Sequence, residues 1–301
     1  MNKLLIVGTV AFDTIKTPFG KAERILGGSG TYIGICSSIF GIKNSIVSVV
    51  GGDFEEKYLT LLENKNIDIS GIEIVKNDKT FFWEGIYHEN MNHRDTVSTE
   101  LNVLANFNPK VPSSYSNPKI VLLGNLHPSV QLSVINQLKN KPELIILDTM
   151  NYWMDNSLAE LLIVISKIDL LCINDQEAQQ LTSENNLDVA AKKLFSLGPK
   201  YLIIKKGGDG SKIYSKNQSF DCKVYPTKKV KDPTGAGDSF AGGLAGYLAK
   251  CSFVSFENVK EGVIYGTALA SLCIEDFGPN NILKIDSKIV DDRVTEIKRL
   301  N

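Results

Sequence analysis

The chain has 301 residues; 43% of them are hydrophobic, 22% are charged, and the formal net charge is −1. These proportions are those of a globular protein and exclude a disordered or collagen-like chain. The near-zero net charge argues against a protein that binds nucleic acid or an anionic membrane through a broad basic surface. The length suits one large α/β domain with a small appendage.

Five cysteines lie far apart, mostly within apolar runs, at Cys36, Cys172, Cys222, Cys251 and Cys273. No pair has Cys-x-x-Cys spacing, so the sequence supports neither a disulfide framework nor a zinc site. The first apolar run is too short for a signal peptide, and no run is long enough to cross a bilayer. We therefore expect a cytoplasmic protein with reduced thiols.

Short apolar runs alternate along the chain with longer amphipathic segments. The runs predicted as strands are 4–7, 45–50, 120–123, 144–147, 170–173 and 201–204. The segments predicted as helices are 32–40, 55–65, 130–138, 158–168 and 189–197. Strands that are apolar on both faces and alternate with helices indicate a mostly parallel sheet covered on both sides.

Two segments interrupt this alternation. Residues 12–25 include Pro18 and Gly20, and residues 79–99 have the pattern of a hairpin with a polar turn over 89–92 and a second strand from Arg94. Neither segment fits a βαβ unit, so we expect them to pair as a small β-flap beside the main sheet. Such flaps commonly exclude water from a ligand site; ordinary surface hairpins are the alternative.

A glycine or a polar residue stands at or just after the end of each of six predicted strands. These residues are Gly8, Gly51, Gly124, Asp148, Asn174 and Gly207. In open α/β sheets ligands bind outside the carboxyl ends of the strands. The six residues therefore predict the rim of a binding site.

The strongest motif is Asp-Pro-Thr-Gly-Ala-Gly-Asp at 232–238. Its glycines permit a tight turn, and a helix is predicted from about Ala236 to Lys250. The unpaired N–H groups and the dipole at the start of a helix attract a phosphoryl group. Asp238, in the first turn, could accept the proton of an attacking hydroxyl, although the dipole should lower its pKa. For a lone Gly-x-Gly-Asp, the alternative would be that Asp238 is only a structural acid in the first turn of the helix.

Residues 232–243 closely resemble the C-terminal signature of the ribokinase-like family, also called the phosphofructokinase B family of carbohydrate and nucleoside kinases, and the resemblance covers nearly the whole chain. It implies a ribokinase-like three-layer α/β/α sandwich with a mostly parallel central sheet and a small β-strand lid. The domain would span 1–301, with the lid formed by about 12–25 and 79–100. The implied catalytic residues are Asp238 as the base and Gly235, Ala236 and Gly237 as the anion hole.

On the acceptor side, the segment that ends at Asp13 resembles the family's first strand and the aspartate that follows it, which hydrogen-bonds substrate hydroxyls. Alternatively, Asp13 is an ordinary acidic residue of a turn. The segment that begins at Gly27 and Gly28 resembles the double-glycine signature, which implies close approach of backbone to substrate. The family usually has asparagine where this chain has Tyr32, and this departure favours an acceptor with an apolar or aromatic face.

On the nucleotide side, Asn174-Asp-Gln-Glu177 resembles the family's Asn-x-x-Glu motif, which implies that Glu177 organises Mg²⁺ through water; a helix capping box is a compatible reading. Residues 204–210 resemble the nucleotide-binding turn, with Lys205 where threonine is usual. That lysine could pair with phosphates or be solvated. Residues 266–278 fall where the family forms its adenine pocket. The nucleotide-binding residues implied are Asn174, Lys205, Gly207, Gly210 and Thr234.

The expected function is transfer of the γ-phosphoryl group of ATP to a hydroxyl of a sugar or sugar-like small molecule, with Mg²⁺. A monovalent cation such as K⁺ is an open further requirement. A nucleoside (adenosine-like) kinase is one alternative, and a non-catalytic ligand-binding sensor of the same fold is another. The apolar lid residues Phe81, Phe82, Trp83 and Ile86 could alternatively form a homodimer contact.

Overall fold

The structure, a computed structural model, describes residues 3–91 and 93–301. Asn92, the last residue of the predicted hairpin turn, lies outside the described residues. The strands are β1 Leu4–Val7, β2 Ala11–Thr17, β3 Gly20–Gly27, β4 Asn44–Gly51, β5 Ile67–Val75, β6 Phe82–Tyr87, β7 Arg94–Glu100, β8 Ile120–Leu123, β9 Leu144–Asp148, β10 Leu170–Asn174, β11 Tyr201–Lys205, β12 Ser211–Tyr214 and β13 Ser219–Cys222. The helices are α1 Ser29–Ser38, α2 Glu56–Asn64, α3 Pro128–Gln137, α4 Asn151–Asn156, α5 Leu158–Ile165, α6 Asp175–Thr182, α7 Leu187–Phe195, α8 Ala236–Lys250, α9 Phe256–Cys273 and α10 Ser287–Leu300.

Nine strands form the large sheet, in the order β13-β12-β11-β10-β9-β8-β1-β4-β5. All neighbours from β11 to β5 pair in parallel, whereas β12 and β13 add an antiparallel edge. Alternate residues of a strand enter opposite cores: Leu4 and Ile6 of β1 pack on one face, and Leu5 and Val7 on the other. Burying such a side chain contributes about 1.5–3 kcal/mol, so both faces need a covering layer.

Helices cover both faces of the large sheet. Buried side chains of α1, α2, α8, α9 and α10 belong to one core, and those of α3 to α7 belong to the other. The result is the three-layer α/β/α sandwich that the sequence predicted. No helix in the described part of the chain combines the length and hydropathy needed to span a bilayer.

A second, four-stranded sheet has the order β3-β2-β6-β7. Strand β2 pairs antiparallel with β3 and parallel with β6, and β6 and β7 form a hairpin. Segments 12–25 and 79–100 therefore pair in one small sheet. The carboxylate of Asp53, from the loop after β4, joins this sheet to the core: it accepts hydrogen bonds from the backbone N–H and hydroxyl of Thr80, both at 2.7 Å, and pairs with Arg24 at 2.6 Å.

Candidate active site

The turn before helix α8 is held by the buried carboxylate of Asp232. Its Oδ1 accepts a hydrogen bond from the N–H of Thr234 at 2.9 Å, and its Oδ2 accepts one from Gly278 at 2.8 Å. Asp232 thus ties the turn to the loop that follows α9. Helix α8 begins at Ala236 and ends at Lys250, as the sequence predicted.

Gly235 caps this helix with φ of 75°, in the left-handed region where a side chain is strained. A Cβ atom placed on Gly235 would also overlap the ring of Tyr32, which lies beneath the turn. Both backbone conformation and contact therefore require glycine here. Tyr32 is buried in α1, below the predicted anion hole of Gly235, Ala236 and Gly237.

Asp238 lies half-buried in the first turn of α8. Burial, reinforced by the negative charge of Asp148, raises the pKa of Asp238 to about 7, while the positive charges of Lys205 and Arg94 oppose the rise. From the sequence we expected the helix dipole to lower this pKa, but desolvation and a neighbouring carboxylate outweigh the dipole, so the net shift is upward.

Lys205 and Asp148 form an ion pair beside the start of α8. Lys205 ends β11, Asp148 ends β9, and the lysine Nζ lies 2.8 Å from Oδ1 of Asp148. A Cβ atom on Gly237 would lie 3.5 Å from the same Nζ, so the ammonium borders the anion hole. Although burial lowers the pKa of Lys205, the charges of Asp148 and nearby groups raise it above the usual range. The lysine is therefore a permanent cation.

Asn174 and Glu177 form the capping box of α6. The Asn174 side chain accepts from the N–H of Glu177, and the Glu177 carboxylate accepts from the N–H of Asn174, both at 2.8 Å. Asn174 lies opposite Lys205 in the register of β10 and β11. Burial raises the pKa of Glu177 to about 7, against the charge of Lys205 and the hydrogen bond from Asn174. The carboxyl thus belongs to the same electrostatic cluster as Lys205.

Asp13 lies buried on β2, where it packs directly on Gly27 of β3. A Cβ atom on Gly27 would overlap the Asp13 carboxylate. Burial raises the pKa of Asp13 to about 7, and the charges of Asp232 and Asp238 act in the same direction. The N–H of Gly28 donates to the carboxylate and opposes the rise. The double-glycine segment therefore shapes the surroundings of Asp13.

The small sheet contributes two residues, Tyr87 and Arg94, that the sequence analysis did not assign to the site. The hydroxyl of Thr234 donates to the hydroxyl of Tyr87 at 3.2 Å, which links β6 to the turn before α8. The positive charge of Arg94, at the start of β7, acts on the carboxyls of Asp13, Asp238 and Glu177. Asp148, which the sequence placed only on the site rim, also proves central.

Gly207 and Gly210 lie in the turn between β11 and β12, directly after Lys205. Gly207 is exposed, with φ of 53°, and a Cβ atom there would meet nothing within 4 Å. Gly210 is buried, and a Cβ atom there would overlap the carbonyl oxygen of Cys222. Glycine is therefore required at position 210, because any side chain there would clash with the end of β13. At Gly207 the space beside the site is open.

A family model described as pfkB family carbohydrate kinase matches residues 1–286. The chain belongs to this family. It is accordingly a phosphotransferase that acts on a hydroxyl group, with an acceptor in the carbohydrate and nucleoside class, which sets the sensor alternative aside. The chain is 28% identical over 272 residues to a cytidine kinase of Thermococcus kodakarensis, covering 87% of this chain and 96% of that protein.

The fold is shared with kinases of known structure. The crystal structure of Methanocaldococcus jannaschii nucleoside kinase, an archaeal member of the ribokinase family, superposes with a TM-score of 0.79 at 23% identity and covers 98% of this chain and 99% of that one. A putative ribokinase II from E. coli, solved in complex with ATP and Mg²⁺, gives 0.82 at 18% identity, with 98% and 100% covered.

Proposed function

We propose that this pfkB-family kinase transfers the γ-phosphoryl group of ATP to a hydroxyl on the sugar moiety of a nucleoside. The observation that carries the chemistry is the Asp238 carboxyl, which lies at the start of α8 beside Lys205 and has a pKa of about 7. The similarity to a cytidine kinase, together with Tyr32 where the family usually has asparagine, favours a nucleoside. A simple sugar is the second candidate, since ribokinases and a 6-phosphofructokinase also resemble the chain.

Asp13 and Asp238 would act on the acceptor. Asp13 would accept hydrogen bonds from sugar hydroxyls and so fix the orientation of the ring. As the attacking oxygen bonds to phosphorus, the bond to the oxygen of the leaving ADP breaks and the hydroxyl proton passes to Asp238. A base with a pKa of about 7 is well matched to neutral pH.

The start of α8 and Lys205 would act on the phosphates. The N–H groups of Gly235 and Gly237, at the start of α8, would face the transferring group, whereas the N–H of Ala236 donates to the carbonyl oxygen of Pro233 at 3.2 Å. Lys205 adds a fixed positive charge beside them. Phosphoryl transfer depends mainly on such positioning and charge stabilisation. The nucleotide would be bordered by Asn174, Thr234, Gly207 and Gly210.

Mg²⁺ fits the carboxylates of Asp148 and Glu177. No group of three or more potential ligands among His, Cys, Asp and Glu is close enough to hold a metal ion within residues 3–91 and 93–301. The ion would therefore be held mainly by ATP phosphates and by water that these carboxylates orient, as Mg²⁺ prefers. It would supply charge neutralisation at the phosphates.

A monovalent cation such as K⁺ fits the surroundings of Asp232. This carboxylate is fully buried, and it accepts hydrogen bonds from the backbone N–H groups of Gly278 and Thr234 and from the Thr234 side chain. Burial raises its pKa, which indicates an incompletely compensated negative charge. Activity measured in K⁺ and in tetramethylammonium salts of equal ionic strength tests this requirement.

The small sheet would act as a lid over the acceptor. Its Tyr87 contacts the turn before α8, and its Arg94 brings positive charge to the acidic groups of the site. Closure would exclude water and so prevent hydrolysis of ATP. A homodimer contact would use the half-buried residues Phe81, Phe82, Trp83 and Ile86. Exposed Phe19, in the turn between β2 and β3, and exposed Val97 of β7 would add to it, and sedimentation tests that assembly. The free cysteines fit a cytoplasmic enzyme.

The test is ADP release from Mg·ATP with a panel of pyrimidine and purine nucleosides, ribose, fructose and sugar acids, with product identified by mass spectrometry. We expect a nucleoside to have the highest kcat/KM. A simple sugar that is phosphorylated with higher kcat/KM than every nucleoside would contradict the nucleoside assignment. Absence of acceptor-dependent ADP across the panel would contradict both candidates.

A further inference from the structure

Residues 223–235 join β13 to helix α8 and carry the turn that precedes the proposed base. All of them lie within the described part of the chain, and they form neither helix nor strand. A segment outside the regular hydrogen-bond ladders depends on individual contacts for its position. The contacts that fix residues 223–235 therefore also fix the turn before α8.

The loop after α9 holds this segment at three places. The hydroxyl of Thr227 donates to Oε1 of Glu275 at 3.3 Å. The N–H groups of Lys231 and Asp232 both donate to the carbonyl oxygen of Ile274, at 2.7 and 3.2 Å. The hydrogen bond from the loop to the Asp232 carboxylate, described above, is the third contact. The position of the turn before α8 thus depends on the position of this loop.

Arg293 of helix α10 contacts both the loop and the segment. Its guanidinium donates to Oε1 of Glu275 at 3.1 Å and to the hydroxyl of Ser271, in α9, at 2.9 Å. The same group lies over the ring of Tyr225, 3.8 Å from the ring centroid. The side chains of Arg293 and Glu275 are only 14% and 17% exposed, so water screens this ion pair weakly. A planar guanidinium can donate in two fixed directions and stack on a ring at once, which a lysine cannot.

We propose that Arg293 is a positioning residue for phosphoryl transfer. It holds the loop after α9 and residues 223–235 in their relative positions, and through them it sets the position of the anion hole at the start of α8. Helix α10 begins at Ser287, outside the residues 1–286 that the family model matches, so the family match does not assign this role. The inference rests on the proposed function, because it concerns the phosphate side of that site.

Arg293→Met removes the ion pair, the hydrogen bonds and the stacking on Tyr225, and it keeps a long side chain. We expect kcat to fall by about 10-fold or more, because a small displacement of the anion hole weakens its hold on the transferring group. The KM for the acceptor should stay within about two-fold of the wild type, since Asp13 is held by β2 and β3 instead. Amide hydrogen exchange over residues 223–235 should become faster.

Val294→Ala is the matched control on the same helix. Val294 is buried in the core beneath α10, where it is 4% exposed. Its truncation should lower the thermal midpoint by about 3 °C or more, because a core contact is lost. It should keep the wild-type kcat and the wild-type exchange over residues 223–235. A merely structural role of Arg293 predicts the same behaviour for Arg293→Met.

Glu275 offers a conservative and a disruptive variant of the same network. Glu275→Gln keeps an oxygen that can accept from Thr227 and Arg293, so it should retain most of the wild-type kcat. Glu275→Ala should lose kcat as Arg293→Met does. The double variant should be little worse than either single variant, because both changes break one network.

Three outcomes would overturn the inference alone: a wild-type kcat in Arg293→Met, unchanged hydrogen exchange over residues 223–235 in that variant, or an equal loss of kcat in Val294→Ala. A wild-type enzyme that phosphorylates neither nucleosides nor sugars would overturn the proposed function, and this inference with it.

Discussion

The Nζ atom of Lys205 lies 2.8 Å from Oδ1 of Asp148, across the end of β10, which separates their two strands. The side chains are 20% and 8% exposed, so water screens the pair only weakly. The two charges act in opposite directions on the pKa of Asp238. This ion pair therefore links the phosphate side of the site to the proposed base.

Replacing Lys205 with methionine should lower kcat/KM by about 100-fold or more, because the phosphates lose a fixed cation. It should also lower the free energy of unfolding by up to about 3 kcal/mol, since Asp148 is left buried and unpaired. Steady-state kinetics and urea denaturation measure the two effects.

The neighbouring Lys206 provides the control, because its partner, Asp221, is 62% exposed and lies 3.3 Å away. Lys206→Met should change stability by less than about 0.5 kcal/mol. Equal behaviour of the two lysine variants would show that the Lys205–Asp148 pair has no special role.

The activity should depend on pH through Asp238. Its pKa of about 7 means that it is protonated, and unable to accept a proton, in acidic solution. We therefore expect kcat/KM to rise as the pH increases through about 7 and then to level off. A profile already flat from pH 5.5 to 8 would contradict this assignment.

The free energy of unfolding should change with pH in the opposite direction to kcat/KM. The folded-state pKa of Asp238 is about 7 against an ordinary value of 3.8, so folding favours the protonated carboxyl. The associated stability is fully present below pH 3.8 and is lost as the pH rises through about 7. Asp238→Asn should reduce the decline in unfolding free energy between pH 5 and 8, as measured by urea denaturation at each pH.

Arg94 should set the acidic limb of the activity profile. Its positive charge lowers the pKa values of Asp13, Asp238 and Glu177. Arg94→Met should therefore move the midpoint of the pH–kcat/KM profile to higher pH, while Arg94→Lys, which keeps the charge, should move it less. A profile that is identical in wild type and Arg94→Met would place the guanidinium outside the electrostatic field of the site.

The local features of the site could be predicted from the sequence, and the long-range ones could not. The start of α8 follows from neighbouring residues, because Gly235 and the following helical pattern lie within one turn. The Lys205–Asp148 pair joins residues 57 positions apart, and no sequence periodicity reports such a pair. The pKa of Asp238 differs from the expectation for the same reason: the dipole is local, whereas burial and the charge of Asp148, at the end of β9, arise only when the chain folds.

Edge elements were also hard to predict. Strands β12 and β13 have only four residues each and carry polar side chains, and β5 is largely half-exposed. Such strands lack the continuous apolar pattern that marks buried parallel strands. No sequence pattern marks Arg94 as a site residue either, because it begins an exposed strand. Arg94 reaches the site only when the small sheet folds over the site.

Glu177→Gln separates the helix cap from the metal role. Glutamine can still accept from the N–H of Asn174, so the capping box and the stability should be retained. Loss of the negative charge should raise the Mg²⁺ concentration needed for half-maximal activity by about 10-fold. Glu177→Ala should lose both the capping hydrogen bond and the tight Mg²⁺ response, and its free energy of unfolding should fall by about 1 kcal/mol. An unchanged Mg²⁺ titration in Glu177→Gln would remove Glu177 from the metal side of the site.

The central claim is that Asp238 accepts the proton of the attacking hydroxyl, and single-turnover phosphoryl transfer by Asp238→Asn tests it most directly. Asparagine keeps the size of the side chain but cannot take the proton. The variant should bind ATP nearly as well as the wild type and transfer the phosphoryl group at least about 10³-fold more slowly. A rate within a few-fold of the wild type, at equal ATP affinity, would contradict the assignment of Asp238 as the base.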